Sequence, residues 1–206
     1  LIKRWKGRMY EACKIGETKI VQLLMERCNF KESELNIKDK DGRTAFMWAC
    51  IKGHKDIVQL LVGHFEESEL NTKDNFGDTA FMWACIKGHK DVVQLLLGHS
   101  NRIDLNARDN KMGWTAFILA CFFGRKDVVQ LLLDHTNIDL NARDKSGYNG
   151  LMRAYFHEHK DIAKLLLDHS DRIEYKRLLQ YINTTERRRK NWLRFINEFG
   201  CQEIKL

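Results

Sequence analysis

Apolar residues along this chain recur in two alternating short patterns. In residues 41–64, Phe46, Ala49 and Cys50 fall at i, i+3 and i+4, the stripe of a helix that buries one side. Thr44 stands before them as an N-cap, whose hydroxyl can take up a free amide of the first turn. Gly53 then offers a helix stop, because a positive φ is easy for it. In a second stripe Ile57, Val58, Leu60 and Leu61 are apolar while Lys55, Asp56 and Gln59 are polar. The pattern predicts two short helices joined by a tight turn. Neither is stable alone in water, since helix nucleation is costly, so each pair must bury its faces against a neighbour.

The chain supplies that neighbour by repetition. DGRTAFMWACIKGHKDIVQLLVGH (41–64) returns as FGDTAFMWACIKGHKDVVQLLLGH (76–99), as MGWTAFILACFFGRKDVVQLLLDH (112–135) and, more loosely, as SGYNGLMRAYFHEHKDIAKLLLDH (146–169). A worn copy, GRMYEACKIGETKIVQLLMERC, occupies 7–28. Gly42, Gly77, Gly113 and Gly147 are spaced by 35, 36 and 34 residues, and ELN or DLN closes each interval at Asn36, Asn71, Asn106 and Asn141. The expected divisions are an N-terminal capping repeat (1–37), repeats at 38–72, 73–107 and 108–142, a degenerate repeat (143–173) and a C-terminal helical cap (174–206). The fifth unit replaces the capping Thr by Asn149, the Cys slot by Tyr155 and the turn Gly by Glu158. Beyond it, 174–183 and 186–199 read as two closing helices, the second with Trp192, Phe195, Ile196 and Phe199 on one side and Gly200 as its stop.

These units resemble the ankyrin repeat, whose usual length is about 33 residues with a Thr-Pro-Leu-His-x-Ala opening. The likeness covers 7–173 and rests on the combination of Gly-x-Thr, a small pair, Gly-His and a Leu run followed by Asn. Thr-Pro-Leu-His has become Thr-Ala-Phe-Met in two units, the chain has no proline, and His64, His99, His135 and His169 stand where the family usually places Gly. The resemblance implies an all-α solenoid of stacked helix-turn-helix units with hairpin-like loops. It also implies an adaptor, inhibitor or targeting subunit that binds its partner on the side formed by hairpin tips and the outer stripe of each first helix.

If Phe46, Ala49 and Cys50 face inward, Trp48, Ile51 and Lys52 share the other side. The same slots hold Glu11, Lys14 and Ile15 in unit one, Trp83, Ile86 and Lys87 in unit three, Leu119, Phe122 and Phe123 in unit four, and Arg153, Phe156 and His157 in unit five. Arg43, Asp78, Trp114 and Tyr148 follow the hairpin glycines, and Phe76 precedes its own. The candidate partner-binding set is therefore Arg43, Trp48, Lys52, Phe76, Asp78, Trp83, Lys87, Trp114, Phe122, Phe123 and Tyr148. Aromatic anchors beside lysines suit another protein, presenting an apolar and acidic extended peptide or amphipathic helix. Two alternatives stand beside this. Trp48 and Trp83 could form a purely structural ladder, or aromatic stacking with lysine contacts could hold a nucleotide or oligonucleotide.

The net charge of +7 changes little. Residues 1–8 carry +4 and residues 172–206 carry +5, leaving the repeat body at −2, a poor collector of phosphates. Cys13, Cys50, Cys85 and Cys121 share one repeat slot, as small buried thiols of a reducing compartment would, with Cys28 and Cys201 outside the series. With no CxxC pair, phosphate loop, nucleophile elbow or HExxH motif, no metal, cofactor or enzymatic activity is expected. The repeat-locked histidines are expected to bond turn backbone. No window approaches about 18 unbroken apolar residues, so no membrane span is expected. The chain is read as monomeric and cytoplasmic. Arg187, Arg188, Arg189 and Lys190 form either a nuclear-import patch or the wet face of a capping helix. The family resemblance also implies a possible asparagine hydroxylation site at Asn141, with Asp139, Leu140 and Leu133 before it; its plainer role is a hydrogen bond within the turn.

Overall fold

The computed structural model describes residues 2–27 and 37–199, with side chains at 7–27 and 37–198. Cys28, Asn36, Gly200 and Cys201, and the side chain of Phe199, lie outside the described residues. In chain order the helices are α1 (Ile2–Ile15), α2 (Thr18–Arg27), α3 (Ala45–Lys52), α4 (Lys55–Val62), α5 (Glu67–Leu70), α6 (Ala80–Lys87), α7 (Lys90–Leu97), α8 (Ala116–Phe122), α9 (Lys126–Leu133), α10 (Gly150–Phe156), α11 (Lys160–Leu167), α12 (Lys176–Ile182) and α13 (Glu186–Phe199). No strand occurs among the described residues. The first helices α1, α3, α6, α8 and α10 pack in one row and the second helices α2, α4, α7, α9 and α11 in another. The core runs between the two rows along the stack.

Local chemistry sets each helix. The Thr44, Thr79 and Thr115 hydroxyls accept from the amides of Met47, Met82 and Ile118 at 3.2, 3.3 and 3.4 Å. Asn149 does the same for Met152 at 3.1 Å, so its replacement of Thr preserves the cap. Gly53 ends α3 with φ 76°, and Glu158 holds the equivalent turn of unit five at φ 60°. The loop after α4 gains the single turn α5, which the repeat pattern does not predict.

The two-sided picture of the first helix needs correcting. Ile51 and Ile86 are only 8% and 7% exposed, and Leu119 only 3%, so these three do not lie on an open stripe. An eight-residue helix in this stack has a unit before it, a unit after it and its own second helix behind it. Three sides are therefore covered, and in α3 all of Ala45, Phe46, Met47, Ala49, Cys50 and Ile51 are buried. In α3 only Trp48 and Lys52 face outward. The four repeat cysteines lie in this core, and burial pushes each thiol well above its ordinary pKa.

Polar side chains join one unit to the next. His89 and His159 reach back through Nε2 to the carbonyls of Ile51 and Phe122, each at 2.9 Å, and the Arg125 Nε donates to the Ile86 carbonyl at 2.8 Å. These carbonyls close the preceding first helix, where the helix itself offers no donor. The Asn106 and Asn141 amides donate to the Asn137 and Arg172 carbonyls, each at 2.8 Å. Their side-chain oxygens accept from the Asp139 and Glu174 amides at 2.8 and 2.7 Å. The loop asparagines thus bridge units rather than only bracing their own turn. At the far end Trp192 is fully buried, with its ring 5.4 Å from both Tyr155 and Phe195.

Candidate functional site

The outward side is organised by an aspartate at the start of each hairpin, a residue that the repeat pattern alone did not single out. One carboxylate oxygen ties the loop. Asp39 Oδ1 accepts from the Asp41 and Arg43 amides, Asp74 Oδ1 from those of Phe76 and Asp78, and Asp144 Oδ1 from those of Ser146 and Tyr148, all at 2.8–2.9 Å. Asp109 Oδ1 takes the Met112 and Gly113 amides at 2.7 and 2.9 Å. Consecutive hairpins are linked by the Asn75, Asn110 and Lys145 amides, which donate to the carbonyls of Asp41, Phe76 and Met112.

The second oxygen of three of these aspartates meets the candidate aromatics. Trp48 Nε1 donates to Asp39 Oδ2 at 3.0 Å, joined by the Tyr10 hydroxyl at 2.7 Å. Trp83 Nε1 donates to Asp74 Oδ2 at 3.0 Å, and Trp114 Nε1 to Asp144 Oδ2 at 3.1 Å. Burial raises the Asp39 pKa, but the bonds from Tyr10, the Arg43 amide and Trp48 outweigh it and hold the carboxyl at about 2. Burial likewise opposes the Tyr148 amide, Arg153 and Trp114 at Asp144, and they hold it below the usual carboxylate range.

Two arginines are locked into the same frame. The Arg43 guanidinium lies 5.4 Å from the Trp48 ring and 4.7 Å from the Trp83 ring, with its Nε 3.8 Å from Asp74. Arg153 lies 5.2 and 5.0 Å from the Trp114 and Tyr148 rings and pairs with Asp144. Such stacking is a strong use of a planar cation. Trp48, Trp83 and Trp114 are thus half-buried parts of a scaffold as well as surface rings, with Lys52 and Lys87 at 5.9 and 5.8 Å from Trp48 and Trp83.

A cavity of about 500 Å³ opens where the third and fourth units meet. Six of the candidate residues come together on it: Arg43, Phe76, Asp78, Trp83, Trp114 and Phe123. Ile86 and Leu119 form further apolar wall, and Asp109, Lys111 and Met112 come from the fourth hairpin. Phe76 and Phe123 are 52% and 40% exposed, so the apolar lining is open to solvent. Trp48, Lys52, Lys87, Phe122 and Tyr148 do not line it. Phe122 packs 4.6 Å from Trp114 and 4.1 Å from His157, and Tyr148 lies 5.2 Å from Phe156. Lys111 and Met112 were not among the sequence candidates. Their signal was the longer interval to Gly113, since the fourth hairpin carries one more residue between its Asp and its Gly than the others.

The family profile described as ankyrin repeats, in three copies, matches residues 9–109 and again 102–177. The chain belongs to the ankyrin-repeat family. Ankyrin repeats are generally protein–protein interaction modules, and proteins built from them are typically non-enzymatic binding scaffolds. A stretch of 34 residues is 44% identical to human acyl-CoA-binding domain-containing protein 6, covering 16% of this chain and 12% of that protein. The likeness therefore spans one repeat's length of a much longer relative. Among the described residues no ankyrin helix is long and apolar enough to cross a membrane, and no cluster of His, Cys, Asp and Glu has the arrangement of a metal site. Arg187, Arg189 and Lys190 sit on the exposed face of α13, where Lys190 pairs with Glu186 at 2.9 Å, while Arg188 packs 4.0 Å from the Tyr181 ring.

Proposed function

We propose that this ankyrin stack is an adaptor or targeting module that holds a segment of another protein along its hairpins and first helices. The observation that carries this is the open apolar cavity, lined by the exposed rings of Phe76 and Phe123. Lys52 and Lys87 continue the surface beside Trp48 and Trp83, so acidic residues of the partner fit at that end. Hairpins fixed by aspartate bonds and cross-unit amides lose little freedom on binding, which favours affinity. The oligonucleotide reading has less behind it, because Asp78 and Asp109 offset Arg43 and Lys111 in the cavity lining and leave no net positive charge to collect phosphate.

The test is a random-peptide display selection on the full chain, followed by binding of the selected peptides to Phe76→Ala/Phe123→Ala. Both rings lie at the surface, so circular dichroism of this variant should match wild type. The expected result is at least about tenfold weaker binding, the loss of an ordinary aromatic anchor. Unchanged affinity, or tight binding of a fluorescent oligothymidine with a steep salt dependence, overturns the proposal.

A further inference from the structure

Comparison of the repeats with one another isolates one junction. The residue after each hairpin glycine approaches the aspartate of the next hairpin: Arg43 pairs with Asp74, and Trp114 donates to Asp144. At the junction between units three and four this slot holds Asp78, whose charge is opposed by Asp109. The Trp48 slot of the first helix supplies a side-chain donor, Trp48 to Asp39, Trp83 to Asp74 and Arg153 to Asp144. In unit four this position is Leu119, which has no donor. Both customary partners, the cation or indole after the glycine and the donor on the first helix, are therefore missing at one place. Asp109 keeps its two backbone bonds through Oδ1, and the hydrogen bonds of the described residues give no side-chain donor to Asp109 Oδ2 or to the Asp78 carboxylate.

These two carboxylates line the 500 Å³ cavity together with Phe76, Trp83, Trp114 and Phe123. Resting on the groove reading above, we infer that this junction receives an arginine side chain of the partner segment, flanked by apolar residues. The guanidinium would stack among the aromatic rings and pair with Asp78 and Asp109, reproducing between two proteins the arrangement that Arg43 makes within this one. A planar cation with several donors matches two carboxylates and ring faces better than a lysine ammonium does. The cations nearby do not fill the role. Arg43 is held between Trp48 and Trp83 with Asp41 at 3.4 Å and Asp74 at 3.8 Å, and Lys111 is an exposed residue of the hairpin. Burial, then repulsion from Asp74 and Asp109, raises the Asp78 pKa to about 6 against a smaller opposing pull from Arg43, so an incoming cation meets a carboxylate that is only partly compensated.

The selected peptides test this directly. Wild-type selections should be enriched in arginine beside apolar residues, and replacing that arginine by citrulline, its neutral isostere, should weaken binding at least about tenfold. The Asp78→Asn/Asp109→Asn variant should bind both peptides equally. Selected peptides without arginine, equal binding of the citrulline form by wild type, or a preference retained by the double variant overturns the inference. If such peptides still lose affinity for Phe76→Ala/Phe123→Ala, the groove reading survives and only the arginine assignment falls. Peptides indifferent to both pairs of substitutions remove the groove reading as well.

Discussion

At the scale of the residue, the hairpin aspartates divide into those that stabilise the fold and one neighbour that strains it. Asp39 is held at about 2, below the ordinary carboxylate value near 3.9. Its contribution to stability is present above pH 4 and is lost as pH falls from about 4 toward 2. Asp78 works in the opposite sense. With a folded pKa of about 6, it binds more protons folded than unfolded between pH 4 and 6, so stability declines as pH rises through that window. The full shift corresponds to about 3 kcal/mol, and solvent screening at this partly exposed group reduces the expected effect to about 1 kcal/mol. Asp78→Asn should therefore stabilise the chain by about 1 kcal/mol at pH 7 and flatten its pH dependence between 4 and 6, as urea denaturation will read. A residue that lowers stability at neutral pH while lining a cavity fits the trade-off between stability and function on which the proposed groove would rest. The sequence offered Asp78 as a candidate by position. It could not reveal the lost donors, because these come from residues 41 positions apart in the case of Asp78 and Leu119.

At the scale of the element, each helix pair depends on its turn. In α3 the turn residue Gly53 has φ 76°, and a Cβ there would meet His89 Nδ1 at 2.6 Å. Gly53→Ala should cost about 1–2 kcal/mol, since an L side chain is strained at positive φ and the His89 ring must also move from the Ile51 carbonyl. Unit five presents the reverse experiment. Glu158 holds φ 60° in the same slot, so Glu158→Gly should raise stability by about 0.5–1 kcal/mol, with the glycine's greater unfolded entropy offsetting part of the gain. Thermal melts of the two variants should move in opposite directions. The capping threonines, the glycine stop and the polar stripe were all legible in the repeats, because they act within a few residues. The burial of Ile51, Ile86 and Leu119 was not, because a helical stripe shows which residues are apolar but not how many neighbours surround them.

At the scale of the whole molecule, stability comes from contacts between adjacent units, as in other one-dimensional stacks. The C-terminal pair α12 and α13 closes that series with Trp192, whose buried ring meets Tyr155 and Phe195. Trp192→Ala should cost about 3–5 kcal/mol in that region. Hydrogen exchange should show lost protection concentrated in α10 to α13, with α3 and α6 changed least, because energy passes only from neighbour to neighbour. Uniform loss across all units would mean that the stack unfolds as a single cooperative body.

The repeated residues by themselves determined the helix pairs, their caps and stops, the inward cysteine stripe and the family, because each follows from local spacing or from self-similarity along the chain. Tertiary structure decided which aromatics are open, that Trp48, Trp83 and Trp114 are tied to aspartates, and that Asp78 and Asp109 share a cavity. Hydrogen-bond partners and solvent exposure are fixed by how one unit sits on the next, and stacking brings together side chains whose separation in sequence carries no sign of their meeting.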